Sequence, residues 1–111
     1  MVKIVQRKEK QMEFPKTMVI GPCEFTVDFV DKLLDDDNST KLNGHIRWDE
    51  TTIEIENSTS YQTKMLILMH EIIHGCDHYS DAELTEKQVE LIANQLMCVL
   101  KNNPEFVEMF R

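Results

Sequence analysis

The residues best suited to chemistry lie together at positions 70–74, which read HEIIH. His70 and His74 are four residues apart, and on a helix this spacing places two side chains on one face, about 6 Å apart along the axis. Two neutral imidazoles arranged in this way can bind one Zn²⁺ ion. Glu71 points to a neighbouring face, where it can accept a proton from a metal-bound water. The pattern therefore predicts a zinc site with an adjacent general base.

The motif lies within a predicted helix. Apolar residues recur at helical spacing over residues 61–77. The alternative interpretation of the two histidines is a pair of hydrogen-bonded core side chains without a metal. The zinc interpretation is favoured because both central positions of the motif are apolar, and an unpaired imidazole beside them would be poorly solvated.

A catalytic zinc site needs a third protein ligand and one open position. His78 continues the four-residue series, but a straight helix places it about 12 Å from His70. It can bind the same ion only if the helix breaks at Gly75. Glu90 is the stronger candidate, because it lies one turn into a second predicted helix, at residues 86–102, that should run antiparallel to the first.

Two further acids lie close to Glu90 in the sequence. Glu86 follows Thr85, which forms a capping-box pattern with Gln88, and an acid at the first helical position is explained by the helix dipole alone. Glu83 lies in the connection between the helices. Glu90 is therefore the preferred third ligand.

The residues before the motif have the alternating pattern of strands. Residues 17–30 predict one hairpin around a Gly-Pro turn, and residues 44–48 with 52–56 predict a second. Residues 2–5 are a candidate for a further strand. The expected fold class is α+β, with a small twisted and mostly antiparallel sheet of three to five strands. We expect this sheet to pack on the HExxH helix and on a second, antiparallel helix, and residues 104–111 to form a short tail.

Length and composition limit the classes of function. A chain of 111 residues has room for one domain, and its formal net charge is −8. This charge argues against nucleic acid as the partner, since phosphate binding needs concentrated Lys and Arg. Residues 1–16 hold five Lys and Arg against two Glu, a local +3, which we interpret as a solvated strand or arm.

No apolar run approaches the roughly 18 residues of a membrane span. The three cysteines are scattered, so we expect them to fill the core rather than to form disulfides. A reducing cytoplasm is the predicted compartment.

The chain from Gly44 to about Asn103 resembles small bacteriophage and prophage metallopeptidase-like proteins of Gram-positive hosts. The resemblance rests on residues 68–78, LMHEIIHGCDH, and on residues 84–90, LTEKQVE. The strands match only in pattern. The motif followed by Glu90 in an E-x-x-A pattern is also similar to the gluzincin clan, whose third ligand is a Glu on the next helix. More distantly, the chain resembles the ImmA/IrrE metallopeptidases, which cleave phage or stress repressors.

This resemblance implies a minimal zincin-like metallopeptidase in a bacterial or phage-infected cell. One Zn²⁺ per chain would be held by His70, His74 and Glu90, with Glu71 as the base that activates water. Asp77 could orient a ligand histidine from outside the metal sphere, or it could simply be a polar residue near the helix end. No downstream Tyr or His motif of the family is matched, so a further donor to the oxyanion stays unassigned.

The implied substrate is a protein or peptide that pairs in extended form with an edge strand beside the cleft. Residues 44–48 and 52–56 are the two candidates for that strand. The alternative function is a zinc-binding phage or prophage interaction module with little or no proteolytic activity. Glu71 favours hydrolysis, because a purely structural metal site needs ligands but no base.

Overall fold

The structure, a computed structural model, describes residues 11–111. The candidate strand at residues 2–5 and most of the basic segment at 1–16 lie outside the described residues. The elements in chain order are β1 (Thr17–Ile20), β2 (Cys23–Val30), β3 (Gly44–Arg47), β4 (Thr52–Glu56), α1 (Tyr61–Ser80), α2 (Glu86–Asn102) and α3 (Pro104–Glu108). The chain is α+β, as the sequence predicts.

The four strands form one mixed sheet in the order β1-β2-β4-β3. β1 with β2 and β3 with β4 are antiparallel pairs, which confirms both predicted hairpins. β2 and β4 pair in parallel, and this pairing joins the two hairpins into one sheet. The sequence pattern did not predict this pairing. β3 is consequently an edge strand and β4 an internal one. Of the two candidates for the edge strand beside the cleft, only the first lies at an edge.

A buried carboxylate at the end of β4 accepts hydrogen bonds from two other parts of the backbone. Glu56 is 2% exposed, its Oε1 accepts a hydrogen bond from the Leu33 N–H at 2.7 Å, and its Oε2 accepts one from the Ser58 N–H at 3.0 Å. Because these bonds favour the ionised form, they lower the pKa of Glu56 to about 2, the Leu33 bond contributing most. Glu56 thus ties the segment that follows β2 to the end of β4.

The main core lies between one face of the sheet and α1. Phe25, Ile53 and Ile55 of β2 and β4 are fully buried, and they belong to the same packed cluster as Ile67 and Leu68 of α1. Burying an aliphatic or aromatic side chain of this size contributes about 1.5–3 kcal/mol relative to leaving it in water. This packing fixes the orientation of α1 against the sheet.

α1 begins after Ser60, whose hydroxyl accepts a backbone N–H of the first turn, and it ends at Asp81 with a left-handed φ of 53°. It is three residues longer than the predicted helix over 61–77, since it continues through Gly75 and into the polar stretch that follows. Gly75 instead faces Ile20 of β1, where an added Cβ would lie 2.8 Å from the Ile20 Cγ2. The glycine therefore serves close packing of α1 on the sheet.

α2 packs antiparallel to α1 and forms a second, smaller cluster with it, centred on Ile73, Val89 and Ala93. At its far end, Lys101 Nζ donates a hydrogen bond to Gln62 Oε1 in the first turn of α1 at 3.0 Å. The first turn of α2 consequently lies beside the second half of α1, where the histidines are.

Cys23 is half-buried, whereas Cys76 and Cys98 are exposed, and all three are free. The expectation that the cysteines fill the core is therefore wrong for two of them. Within residues 11–111, none of the helices combines the length and the apolar composition needed to cross a bilayer.

Candidate metal centre

The two histidines of the motif converge on one side of α1, as their spacing predicts. His70 Nε2 and His74 Nε2 lie 3.1 Å apart, and the two ring centroids are separated by 4.8 Å. Both side chains are about one quarter exposed. Their Nε2 atoms therefore point into a shared, solvent-accessible space at the edge of the core.

A carboxylate from the first turn of α2 meets both imidazoles. Glu86 Oε1 lies 2.7 Å from His70 Nε2, and Glu86 Oε2 lies 3.0 Å from His74 Nε2. Thr85 caps α2 through a complete capping box with Gln88, and Glu86 is the first residue after that cap. The helix start thus places this carboxylate against the two histidines.

These three donors fit a zinc ion. Four ligands at about 2.0–2.2 Å around a tetrahedral ion lie roughly 3.2–3.6 Å from one another. The separations among His70, His74 and Glu86 are 2.7–3.1 Å, so small outward movements of the side chains reach that spacing. Two imidazoles and one carboxylate also form a donor set that suits catalytic zinc and leaves one position open.

Glu71 lies beside the histidines on the buried side. It is 6% exposed, and one of its carboxylate oxygens lies within 4.8 Å of the ligand atoms of His70 and His74. Among the described residues it has no hydrogen-bond partner. Burial is the main cause that raises the pKa of Glu71 to about 7, and the negative charge of Glu86 adds to the shift.

The edge strand passes directly over this carboxylate. A Cβ added at Gly44 of β3 would lie 2.6 Å from Ile67 Cγ2 and 3.3 Å from Glu71 Oε2. Only a glycine leaves enough room for the strand and the carboxylate to approach each other this closely. Gly44 of the edge strand and Glu71 therefore line one cavity.

Glu90, the preferred third ligand of the sequence analysis, lines the same cavity one turn further along α2. It makes no hydrogen bond or ion pair with another described residue. The structure brings Glu86 to the histidines instead, so the role of Glu90 as a ligand stays a prediction. The cap at Thr85 was visible in the sequence, but the direction in which the first residue of α2 points depends on the path of the connection.

The other two candidates lie elsewhere. Asp77 Oδ1 accepts a hydrogen bond from the backbone N–H of Leu84 at 3.0 Å rather than one from a ligand histidine. His78 stacks on Trp48, with ring centroids 4.0 Å apart. Because α1 continues through Gly75, His78 is kept two turns from His70, which is about 12 Å along the helix axis.

Neither tyrosine of α1, Tyr61 or Tyr79, lines the cavity. The Tyr61 hydroxyl donates to the backbone oxygen of Met12 at 2.7 Å. Tyr79 packs near Trp48, and a hydrogen bond with Cys23 is the main cause that raises the pKa of Tyr79. Both side chains therefore have structural contacts of their own.

The cavity in front of the histidines has a volume of about 360 Å³. It lies between β3, α1 and α2, and the side chains that line it beyond those of the metal centre include Asn43, Thr63, Leu66, Ala93 and Asn94. It is large enough for part of an extended chain. Comparison of the protein with protein-family models, with curated proteins and with solved structures gives no match.

Proposed function

We propose that this protein is a zinc-dependent hydrolase of peptide bonds, with His70, His74 and Glu86 as the zinc ligands and Glu71 as the general base. The observation that carries the proposal is the state of Glu71. It is buried and has no hydrogen-bond partner among the described residues, and its pKa is raised to about 7 beside two imidazoles. A site that only holds a metal has no need of such a group.

When bound, zinc supplies Lewis acidity, which lowers the pKa of a water towards neutrality and polarises the scissile carbonyl. His70 and His74 would hold the ion from one helix, and Glu86 would compensate part of its charge from the next. Glu71 would take a proton from the attacking water and return it to the leaving amine. A carboxyl group whose pKa lies near the working pH performs both transfers efficiently.

A peptide substrate is supported by the position of β3. Among residues 11–111 no strand pairs with its outer edge, and at Gly44 it runs directly against Glu71. An extended chain that pairs with this edge through main-chain hydrogen bonds would lie along the cavity and bring a carbonyl group to the metal centre.

The test combines a zinc measurement with an activity measurement. We expect about one zinc ion per chain after purification without chelator, and cleavage of an unstructured protein such as casein. Glu71→Gln should keep the zinc and lose activity by about 10²- to 10⁴-fold, because it removes the proton acceptor and leaves the ligands in place. Glu83→Gln makes the same chemical change in the helix connection and should have little effect. Loss of zinc from Glu71→Gln would contradict its assignment as the base.

A matched pair of variants in α2 tests which glutamate is the third zinc ligand. Glu86→Gln should weaken zinc affinity, whereas Glu90→Gln, one turn away in the same cavity, should leave it nearly unchanged. The opposite result would assign the ligand role to Glu90.

A second candidate function is a zinc-bearing interaction module without hydrolytic activity. It is favoured by the apolar surface of α2, α3 and the residues that follow, where Ile92, Leu96, Val99, Phe106 and Phe110 are between 36% and 75% exposed. Exposed apolar surface of this kind is typical of protein contacts. Zinc binding without cleavage of any peptide would favour this function.

A further inference from the structure

The connection between α1 and α2 is tied back to α1 by one side chain. Asp77, in the last turn of α1, accepts the hydrogen bond from the Leu84 N–H described above, across a sequence separation of seven residues. Leu84 itself is half-buried and packs against the cluster between the two helices. The bond therefore fixes the chain two residues before the carboxylate of Glu86.

The backbone of this connection needs such a restraint. Asp81 and Glu83 both have left-handed φ angles, 53° and 57°, although neither is a glycine. The left-handed conformation is uncommon for residues with a Cβ, although aspartate adopts it more readily than glutamate does. Between these strained positions and α2, the two bonded amides are those of Leu84, which donates to Asp77, and Thr85, which donates to Gln88 Oε1 at 2.9 Å.

Glu86 has little else to hold it in place. Its side chain is 70% exposed, and its polar contacts among the described residues are a hydrogen bond with His70 and an ion-pair contact with His74. The position of its carboxylate is thus set by where the backbone starts α2. The chain just before that starting point is held by the bond from the Leu84 N–H to Asp77, which lies three residues beyond His74 on α1.

We infer that Asp77 is a positioning residue of the metal centre, which acts through the Leu84 N–H to set where Glu86 meets the two imidazoles. α1 would then supply two ligands and also the anchor that aligns the third. This role differs from that of a carboxylate that orients a ligand histidine directly. The inference rests on the proposed function for its consequence in zinc binding, but the placement of Glu86 can be tested without metal.

The zinc test measures affinity by competition with a chromophoric chelator. Asp77→Ala removes the acceptor and should weaken zinc binding by about 10- to 100-fold, the usual effect of losing a partner outside the ligand shell. Asp77→Gln, a good helix former whose amide oxygen is displaced by one carbon, should weaken it similarly. Asp77→Asn keeps a side-chain oxygen that can accept the Leu84 N–H, so it should retain most of the zinc affinity. Ser80→Ala removes a hydrogen bond at the same helix end and serves as the matched control.

A double-mutant cycle separates positioning from a general structural effect. If Asp77 acts through Glu86, Asp77→Ala should cost no further affinity in a Glu86→Gln background. An equal loss in both backgrounds, or no loss in either, would overturn the inference.

The metal-free chain gives an independent readout through the imidazole nitrogen resonances of His70 and His74. Asp77→Ala and Asp77→Gln should shift these resonances towards their positions in Glu86→Gln, whereas Ser80→Ala should not. Unchanged resonances in both Asp77 variants would overturn the inference whether or not zinc binds. If the wild-type chain binds no zinc but the resonances shift as expected, the proposed function fails and the positioning role of Asp77 stands.

Discussion

Two glutamates of this protein are almost equally buried and yet have opposite acid–base behaviour. Glu56 at the end of β4 is 2% exposed and Glu71 in α1 is 6% exposed. Glu56 accepts two backbone hydrogen bonds and its pKa falls to about 2, whereas Glu71 has no hydrogen bond among the described residues and its pKa rises to about 7. Hydrogen-bond donors keep Glu56 ionised, whereas at Glu71 burial and the charge of Glu86 favour the protonated form.

The two carboxyl groups also differ in what they contribute to the protein. Glu56 holds two chain segments together and stays ionised, so it carries its negative charge at all pH values near neutrality. Glu71 is held in its place by packing, and its proton is available near neutral pH. A carboxyl group with a raised pKa that lines a cavity is typical of a functional site.

The largest expected effect concerns the pH dependence of stability in the metal-free protein. The folded pKa of Glu71 is raised, so the folded state holds its proton more tightly than the unfolded state. Stability should therefore fall as pH rises from about 4.5 through about 7, by up to roughly 3 kcal/mol. Denaturant unfolding across this range should show the decline in the wild-type protein and a much smaller one in Glu71→Gln. Equal slopes of stability against pH in the two proteins would show that the pKa of Glu71 is not raised, and its contrast with Glu56 would be lost.

Glu56 should show the opposite dependence. Its lowered folded pKa contributes stability that is present above about pH 4.5 and is lost as the pH falls towards about 2. Glu56→Gln replaces the double acceptor and should lower the Tm at neutral pH by roughly 5–10 °C, while flattening the acid limb of the stability curve. Glu24→Gln, on the exposed side of β2, should change the Tm little. A stability of Glu56→Gln equal to wild type would show that the two N–H groups find other acceptors.

A smaller effect is expected where β3 crosses Glu71. Gly44→Ala forces its Cβ against Ile67 Cγ2, and overpacking of this kind costs about 1–3 kcal/mol. The strand should move outwards and admit water to Glu71, which would lower the pKa of that carboxyl towards its ordinary value. Carbon-13 NMR of the Glu71 carboxyl would follow the titration directly. A pKa that stays near 7 would show that β3 contributes nothing to its burial.

The sequence predicted the part of the site that depends on local spacing. His70, Glu71 and His74 share one helix, and a four-residue separation determines their mutual position without any tertiary information. The hairpins and the cap at Thr85 were predicted for the same reason. These features depend on residues that are close together in the chain.

The sequence could not predict the features that depend on contacts between distant segments. The parallel pairing of β2 with β4 joins segments about 26 residues apart, and Glu56, which closes that junction, carried no signal in the local pattern. The approach of Glu86 to the histidines follows a connection in which Asp81 and Glu83 have left-handed φ angles. The periodicity of apolar residues carries no information on the path of such a loop.

The stack of His78 on Trp48 has a practical consequence. Trp48 is the single tryptophan of the chain, and it lies against the last turn of α1. Indole emission responds to the polarity around the ring and is quenched by a protonated imidazole in contact with it. The intrinsic fluorescence of this protein consequently reports on one place, the junction between the end of β3 and the end of α1. Loosening of that junction can be followed in solution without an attached dye.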